Sequence, residues 1–161
     1  MDKYIINENT LALLTIDNKV KVVEKYIDFY IEGSLNNIIN DSCIYYGSTF
    51  LGRMHSAKSL LGISTKLPII ISEKKELIFF PTNSYKNINC VWINYIEVDK
   101  YYSINSKELI ITFLNKKKLV IPVSNNIFTK QLFKKLSNFV YSFYCINLIC
   151  FVVMWVKYFA P

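Results

Sequence analysis

One arginine, one histidine and several small hydroxyl residues share a glycine-punctuated stretch, Gly47–Gly62, of this 161-residue chain. Arg53 is the one arginine among nineteen Lys and Arg, and it follows Gly52 directly. A guanidinium is less heavily hydrated than an ammonium. It therefore enters the narrow, strongly negative minor groove of A/T-rich duplex DNA at lower desolvation cost. Ser48, Thr49, His55 and Lys58 are neighbours suited to bonding phosphates or sugars beside it, and Lys66 and Lys86 suit the same role. The competing reading makes Arg53 an ordinary surface charge and the lysines part of a solvated face. Gly47 and Gly52 read as positions of positive φ or of close backbone approach. Lys116-Lys117-Lys118 puts three positive charges on one turn, as a phosphate contact that adds salt dependence or simply as a solvated tip.

Other chemistries fail on residue types. Gly47-x4-Gly52-Arg53 lacks the Lys-Ser/Thr that completes a phosphate loop. With His55 alone, no Gly-x-Ser-x-Gly and no carboxylate cluster, no nucleophile constellation assembles, so the chain is not expected to be an enzyme. The four cysteines, Cys43, Cys90, Cys145 and Cys150, form no CxxC pair, which leaves no zinc site and no cofactor expectation. They read as buried, reduced thiols.

Composition sets the frame. Hydrophobic residues at 52% and charged residues at 19% exclude wholesale disorder, and four Gly with four Pro exclude collagen-like and linker classes. Charge is unevenly spread: residues 1–50 hold four Lys against seven acids, net −3, and residues 51–161 hold fifteen Lys/Arg against five acids, net +10. The second stretch is the one that attracts nucleic acid or an anionic membrane surface. Asp2, Asn7, Glu8 and Asn9 stand where a secretory signal needs an apolar core, so a cytoplasmic location is expected.

The elements that must position these residues read as β-rich α+β. Thr10–Ile16 is a strand, Asp17-Asn18 a turn, and Val20–Ile31 a bent strand or hairpin. Gly33 ends that pattern, and Ser34 caps a short helix over 34–45 with Leu35, Ile38, Ile39 and Ser42 or Cys43 on one face. Gly47–Gly62 reads as a surface loop with a short helix around Met54–Leu61. Hairpins follow at Ile69–Ile71/Leu77–Phe80 and Leu109–Leu114/Leu119–Val123, with a strand pair or bent strand at Val91–Val98. Asn125 or Asn126 caps a long C-terminal helix whose apolar face carries Phe128, Leu132, Leu136, Phe139/Val140 and Phe143. The expected architecture is a partly closed antiparallel sheet or small PH-like barrel with that helix across its open edge.

A series of motifs resembles the ComK competence transcription factors of Gram-positive bacteria. The first is Asp41-Ser42-Cys43-x-Tyr45-Tyr46-Gly47-Ser48-Thr49-Phe50-x-Gly52-Arg53. Lys66-Leu67-Pro68-Ile69 is similar to the family's K-P-P-I segment, with Leu67 in place of a proline. Phe79-Phe80-Pro81-Thr82, Trp92-Ile93, Thr112-Phe113-x-Asn115 and Pro122-Val123-Ser124 follow in order, so that the resemblance spans roughly residues 26–136. On this resemblance Gly47, Gly52, Pro68, Pro81 and Trp92 are structural motif positions. It implies a DNA-binding activator that recognises A/T-rich double-stranded DNA largely from the minor groove. It also implies assembly as a homo-oligomer, control by an adaptor and protease, and a role in switching on the DNA-uptake genes of natural transformation.

The division expected is a DNA-binding domain over 1–138 and an apolar helix over 139–161. Leu136–Val156 is twenty-one residues without a charge, roughly 30 Å as a helix, and Lys130, Lys134 and Lys135 precede it. Three readings stand for it: a membrane contact through 136–156, an oligomerisation or core helix, and a remnant of a truncated gene. The first two support an alternative function, a membrane-tethered or interaction-only relative that does not activate transcription. A PH-like lipid-headgroup binder using Lys116–Lys118 is a minor alternative.

Overall fold

The computed structural model describes residues 3–62 and 64–132. Nine strands and three helices run in the order β1 (Thr10–Ile16), β2 (Lys19–Glu24), β3 (Asp28–Glu32), α1 (Leu35–Tyr45), α2 (Phe50–Leu61), β4 (Ile69–Ser72), β5 (Leu77–Pro81), β6 (Trp92–Asn94), β7 (Val98–Ser103), β8 (Leu109–Phe113), β9 (Lys118–Ile121) and α3 (Asn125–Thr129). They form a six-stranded sheet, β3-β2-β1-β6-β5-β4, and a three-stranded sheet, β7-β8-β9, antiparallel throughout.

The large sheet is buried on both faces over β1, β6, β5 and β4, where strand alternation sorts the side chains between two cores, and β3 is a half-exposed edge. Leu13, Trp92, Phe79, Ile69 and Ile71 pack with Leu35, Ile38, Ile39 and Cys43 of α1 and with Phe50 of α2. Ala12, Ile93, Phe80, Ile78 and Ile70 pack instead with Leu109, Ile111, Phe113 and Ile121 of the small sheet and Phe128 of α3. The irregularity between Thr10 and Ala12 turns Leu11 to the same side as Ala12. The result is three layers, helices on sheet on sheet.

Several local expectations hold. Asp17 and Asn18 take φ of 48° and 62°, the left-handed pair of a two-residue hairpin turn. Val20–Ile31 is a hairpin, β2 with β3. Helix α1 starts after Ser34, which holds the N-cap position without the expected side-chain cap bond, and buries Leu35, Ile38, Ile39, Ser42 and Cys43. Its end is a Schellman motif: Ser48 N–H donates to Cys43 O and Gly47 N–H to Ile44 O, with Gly47 at φ 91°.

Four expectations need correction. No closed barrel forms, because the large sheet ends at β3 on one side and at β4 on the other, where α2 packs. The stretch read as loop is mostly α2, which starts at Phe50, so that Gly52 and Arg53 are helical. Strand β7 extends to Ser103, well beyond Val98. Ser124 is the N-cap of α3 in place of Asn125 or Asn126. The expected continuation of the C-terminal helix, the apolar run 136–156, the boundary at 138/139, Lys134, Lys135, Cys145 and Cys150 lie outside the described residues. Among the described residues no helix is long and apolar enough to cross a membrane.

Candidate nucleic-acid interface

Helix α2 begins because Thr49 caps it: Thr49 Oγ1 accepts from Gly52 N–H at 3.0 Å. Space at Gly52 is tight, since a Cβ there would sit 3.2 Å from both Ser48 Oγ and Thr49 Oγ1, the hydroxyl that makes the cap. Phe50, Met54, Ala57 and Leu61 face the cores, which leaves His55, Ser56, Lys58 and Ser59 exposed along the outer side.

Arg53 does not stand on that outer side. Its side chain is 15% exposed and makes a bidentate pair with Glu73 in the turn between β4 and β5: Nη1 donates to Oε1, and Nη2 to Oε2 at 3.2 Å. Nε is buried without a partner. The guanidinium pins α2 to the sheet, and an approach to a groove would require it to leave Glu73. Arg53→Ala is expected to lower unfolding free energy by about 1–2 kcal/mol, between the values for exposed and for buried pairs. Urea denaturation of Arg53→Ala and of the exchanged pair Arg53→Glu/Glu73→Arg measures it. An unchanged midpoint in the single variant would remove this role.

The lysine tip behaves in the same way. Lys117 Nζ donates to Glu24 O at 2.6 Å and to Asp28 Oδ1 at 2.5 Å, and Lys116 Nζ meets Asp99 Oδ2 at 2.9 Å. Asn115 Nδ2 donates to Lys25 O at 2.9 Å. The turn is a clasp that ties the small sheet to the β2–β3 hairpin, and Lys118 alone of the three has no carboxylate partner among the described residues. Lys117→Ala should cost about 1–2 kcal/mol in the same denaturation assay. Lys118→Ala should leave the midpoint in place; equal shifts for the two would refute the clasp.

The ladders place the turns at two ends of the sheets, and ion pairing differs between them. At the end carrying residues 25–27, 73–76, 95–97 and 114–117, cations are matched: Lys25 with Glu97, Lys75 with Glu8, Lys116 with Asp99, Lys117 with Asp28 and Arg53 with Glu73. Lys74 and Lys118 are the exceptions there among the described residues. At the opposite end lie residues 17–19, 32–34, 64–68, 82–91, 104–108 and 122–124, and Lys19 there pairs with Glu32 at 2.7 Å. Here Lys66, Lys86 and Lys107 have no carboxylate partner among the described residues. Lys66 Nζ donates only to Thr82 O at 3.3 Å, and Lys86 lies 6.0 Å from the Tyr85 ring centroid. The connection after α2 leads from exposed Lys58 into this end. Of the expected residues, the structure thus puts Lys66 and Lys86 at one end of the sheets, with Lys58 on the helix that leads into it, sets Lys116–Lys118 at the far end, and adds Lys107 beside Lys66, which its sequence neighbourhood did not single out.

Pro68, Pro81 and Trp92 are buried at element ends. Burial pushes the thiols of Cys43 and Cys90 up to about 11, so both are protonated and neither is a nucleophile at neutral pH. Among the described residues no group of His, Cys, Asp and Glu could hold a metal ion.

These features define a β-rich α+β domain with one end rich in uncompensated lysines. A model of the ComK protein family matches residues 1–143. The competence transcription factor of Bacillus subtilis (strain 168) is 30% identical over 138 residues, covering 83% of this chain and 72% of that protein. The chain belongs to the ComK family. A solved structure, the LytTr DNA-binding domain of putative methyl-accepting/DNA response regulator from Bacillus cereus, aligns at a TM-score of 0.36 and 11% identity, over 77% of this chain and 80% of that one. A likeness that slight carries no argument.

Proposed function

We propose that this protein is a competence-type transcription regulator that binds A/T-rich double-stranded DNA, largely from the minor groove, as a homo-oligomer in the cytoplasm. It activates genes of DNA uptake, and an adaptor and protease set its level. The family match over residues 1–143 carries the reading. The end of the sheets bearing Lys66 and Lys86, together with the outer side of α2 with His55 and Lys58, supports it as the face that meets phosphates. Ser48 and Thr49 shape the start of that helix, and Arg53 holds it in place. Lys116 and Lys117 contribute to the same face only indirectly, through the clasp.

Gel shifts of the full chain on A/T-rich and G/C-rich duplexes of equal length test the reading. Tighter binding to the A/T-rich duplex is expected, and equal weak binding to both would sink the specificity. The uncharged run Leu136–Val156 favours a second reading, a membrane-tethered relative that acts by protein contact. Recovery of the native protein in the carbonate-resistant membrane pellet would support the tether.

A further inference from the structure

A cleft of about 710 Å³ opens at the lysine-bearing end, where four connections converge. Lys66 comes from the α2–β4 connection, Thr82 and Asn83 from β5–β6, Asn105–Glu108 from β7–β8, and Pro122–Ser124 from β9–α3. The two sheets and α3 therefore all contribute to it, and no single stretch of sequence contains it.

Its chemistry has two halves. One half is cationic and rich in donors. Lys66 uses one of its three ammonium protons on Thr82 O, which leaves two for a ligand, and Lys107 Nζ has no partner among the described residues. The one carboxylate of the cleft, Glu108, already accepts from Asn105 Nδ2 at 2.7 Å, and Asn105 Oδ1 accepts the Lys107 and Glu108 N–H groups at 2.8 and 2.9 Å. These bonds close the β7–β8 turn and hold Lys107 at the rim. Asn83 spends its carbonyl oxygen on Ser84 N–H at 3.0 Å, and its amide donor has no partner among the described residues. The other half is apolar: Pro122 and Ile127, the latter 45% exposed, form a wall beside the cations.

Lys66 also holds a backbone conformation that lysine rarely adopts, φ 51°. The other non-glycine residues of positive φ, Asp17, Asn18, Glu76 and Lys116, sit in hairpin turns, where the turn itself requires it. Lys66 sits in no hairpin. The conformation costs free energy locally and is of the kind retained at binding sites.

Cations and amide donors beside an apolar wall match a sugar–phosphate strand, which alternates a charged diester with the apolar face of a deoxyribose. We infer that this cleft binds one backbone strand of a DNA duplex, with the diester on Lys66 and Lys107 and the sugar against Pro122 and Ile127. The inference rests on the duplex-binding reading above and names where the backbone lies. The contact positions the protein and carries no base choice.

The test uses the full chain and the same two duplexes over a series of salt concentrations. Lys107→Ala and Lys66→Asn should each weaken binding at least about threefold on both duplexes and lower the slope of log affinity against log salt by about one. Lys74→Ala, at the far end, should leave the slope unchanged. Asparagine tolerates the left-handed conformation, so Lys66→Asn should keep or raise the melting temperature while affinity falls. A merely structural Lys66 would lose both together, and that result would overturn the assignment. Parent binding with slopes unaltered in both cleft variants would overturn the cleft and leave the duplex-binding reading intact. Failure of the parent to bind either duplex would overturn both.

Discussion

Raising the salt from about 50 to about 200 mM is expected to weaken binding to an A/T-rich duplex roughly a hundredfold for each protomer engaged. The size follows from counting cations that are free to meet phosphate. The nineteen Lys and Arg of the sequence would suggest a far steeper dependence. Lys25, Lys75, Lys116, Lys117 and Arg53, however, already face carboxylates at the opposite end. Lys58, Lys66, Lys86 and Lys107 remain at the proposed face, and about four phosphate contacts give a slope near −3.6. Fluorescence anisotropy over a salt series measures it directly. A slope shallower than about −2 would mean that these lysines do not face the duplex. Reaching the slope unchanged after Lys75→Ala would support the division between paired and unpaired cations.

Phe128→Ala should have the largest effect on stability, about 3–5 kcal/mol, the range for truncating a buried aromatic. Phe128 is fully buried. Its ring centroid lies 5.6 Å from that of Phe80 in the large sheet and 4.8 Å from that of Tyr101 in the small one. It is thus the side chain through which α3 joins both sheets, and its loss leaves a cavity between three elements. A whole domain is stable by only about 5–15 kcal/mol, so this one change should shift the urea midpoint severely. Ile127→Ala, next to it but half exposed, should shift the midpoint little. A loss below about 1 kcal/mol for Phe128→Ala would show that α3 does not belong to the core. Because Ser124 and Ile127 line the cleft, the same substitution should also weaken duplex binding at temperatures where the protein is still folded.

Much of the architecture was legible where the signal is local. Asp17-Asn18 tolerates left-handed backbone, so the first hairpin could be read directly. The spacing of Leu35, Ile38, Ile39 and Cys43 marked α1 and its buried face. Strand β7 was cut short because its register shifts between Val98 and Lys100, which breaks the alternation that marks a half-buried strand. The first turn of α2, Phe50–Arg53, was missed because Gly52 is a poor helix former, and the Thr49 cap with packing along β4 outweighs its propensity.

The candidate site divides along the same line. The sequence by itself determined that a positive excess sits after residue 50, that lysine carries nearly all of it, and that the motifs are those of one family. It could not determine which of those charges are free. Arg53 is neutralised by Glu73, twenty residues away, and Lys117 by Asp28, eighty-nine residues away. Lys107 joins Lys66 in one cleft only because the small sheet packs on the large one. Charge is a property of each side chain and can be counted along the chain. Whether that charge meets solvent, a carboxylate or a ligand depends on contacts between distant residues, and the tertiary structure alone decides it.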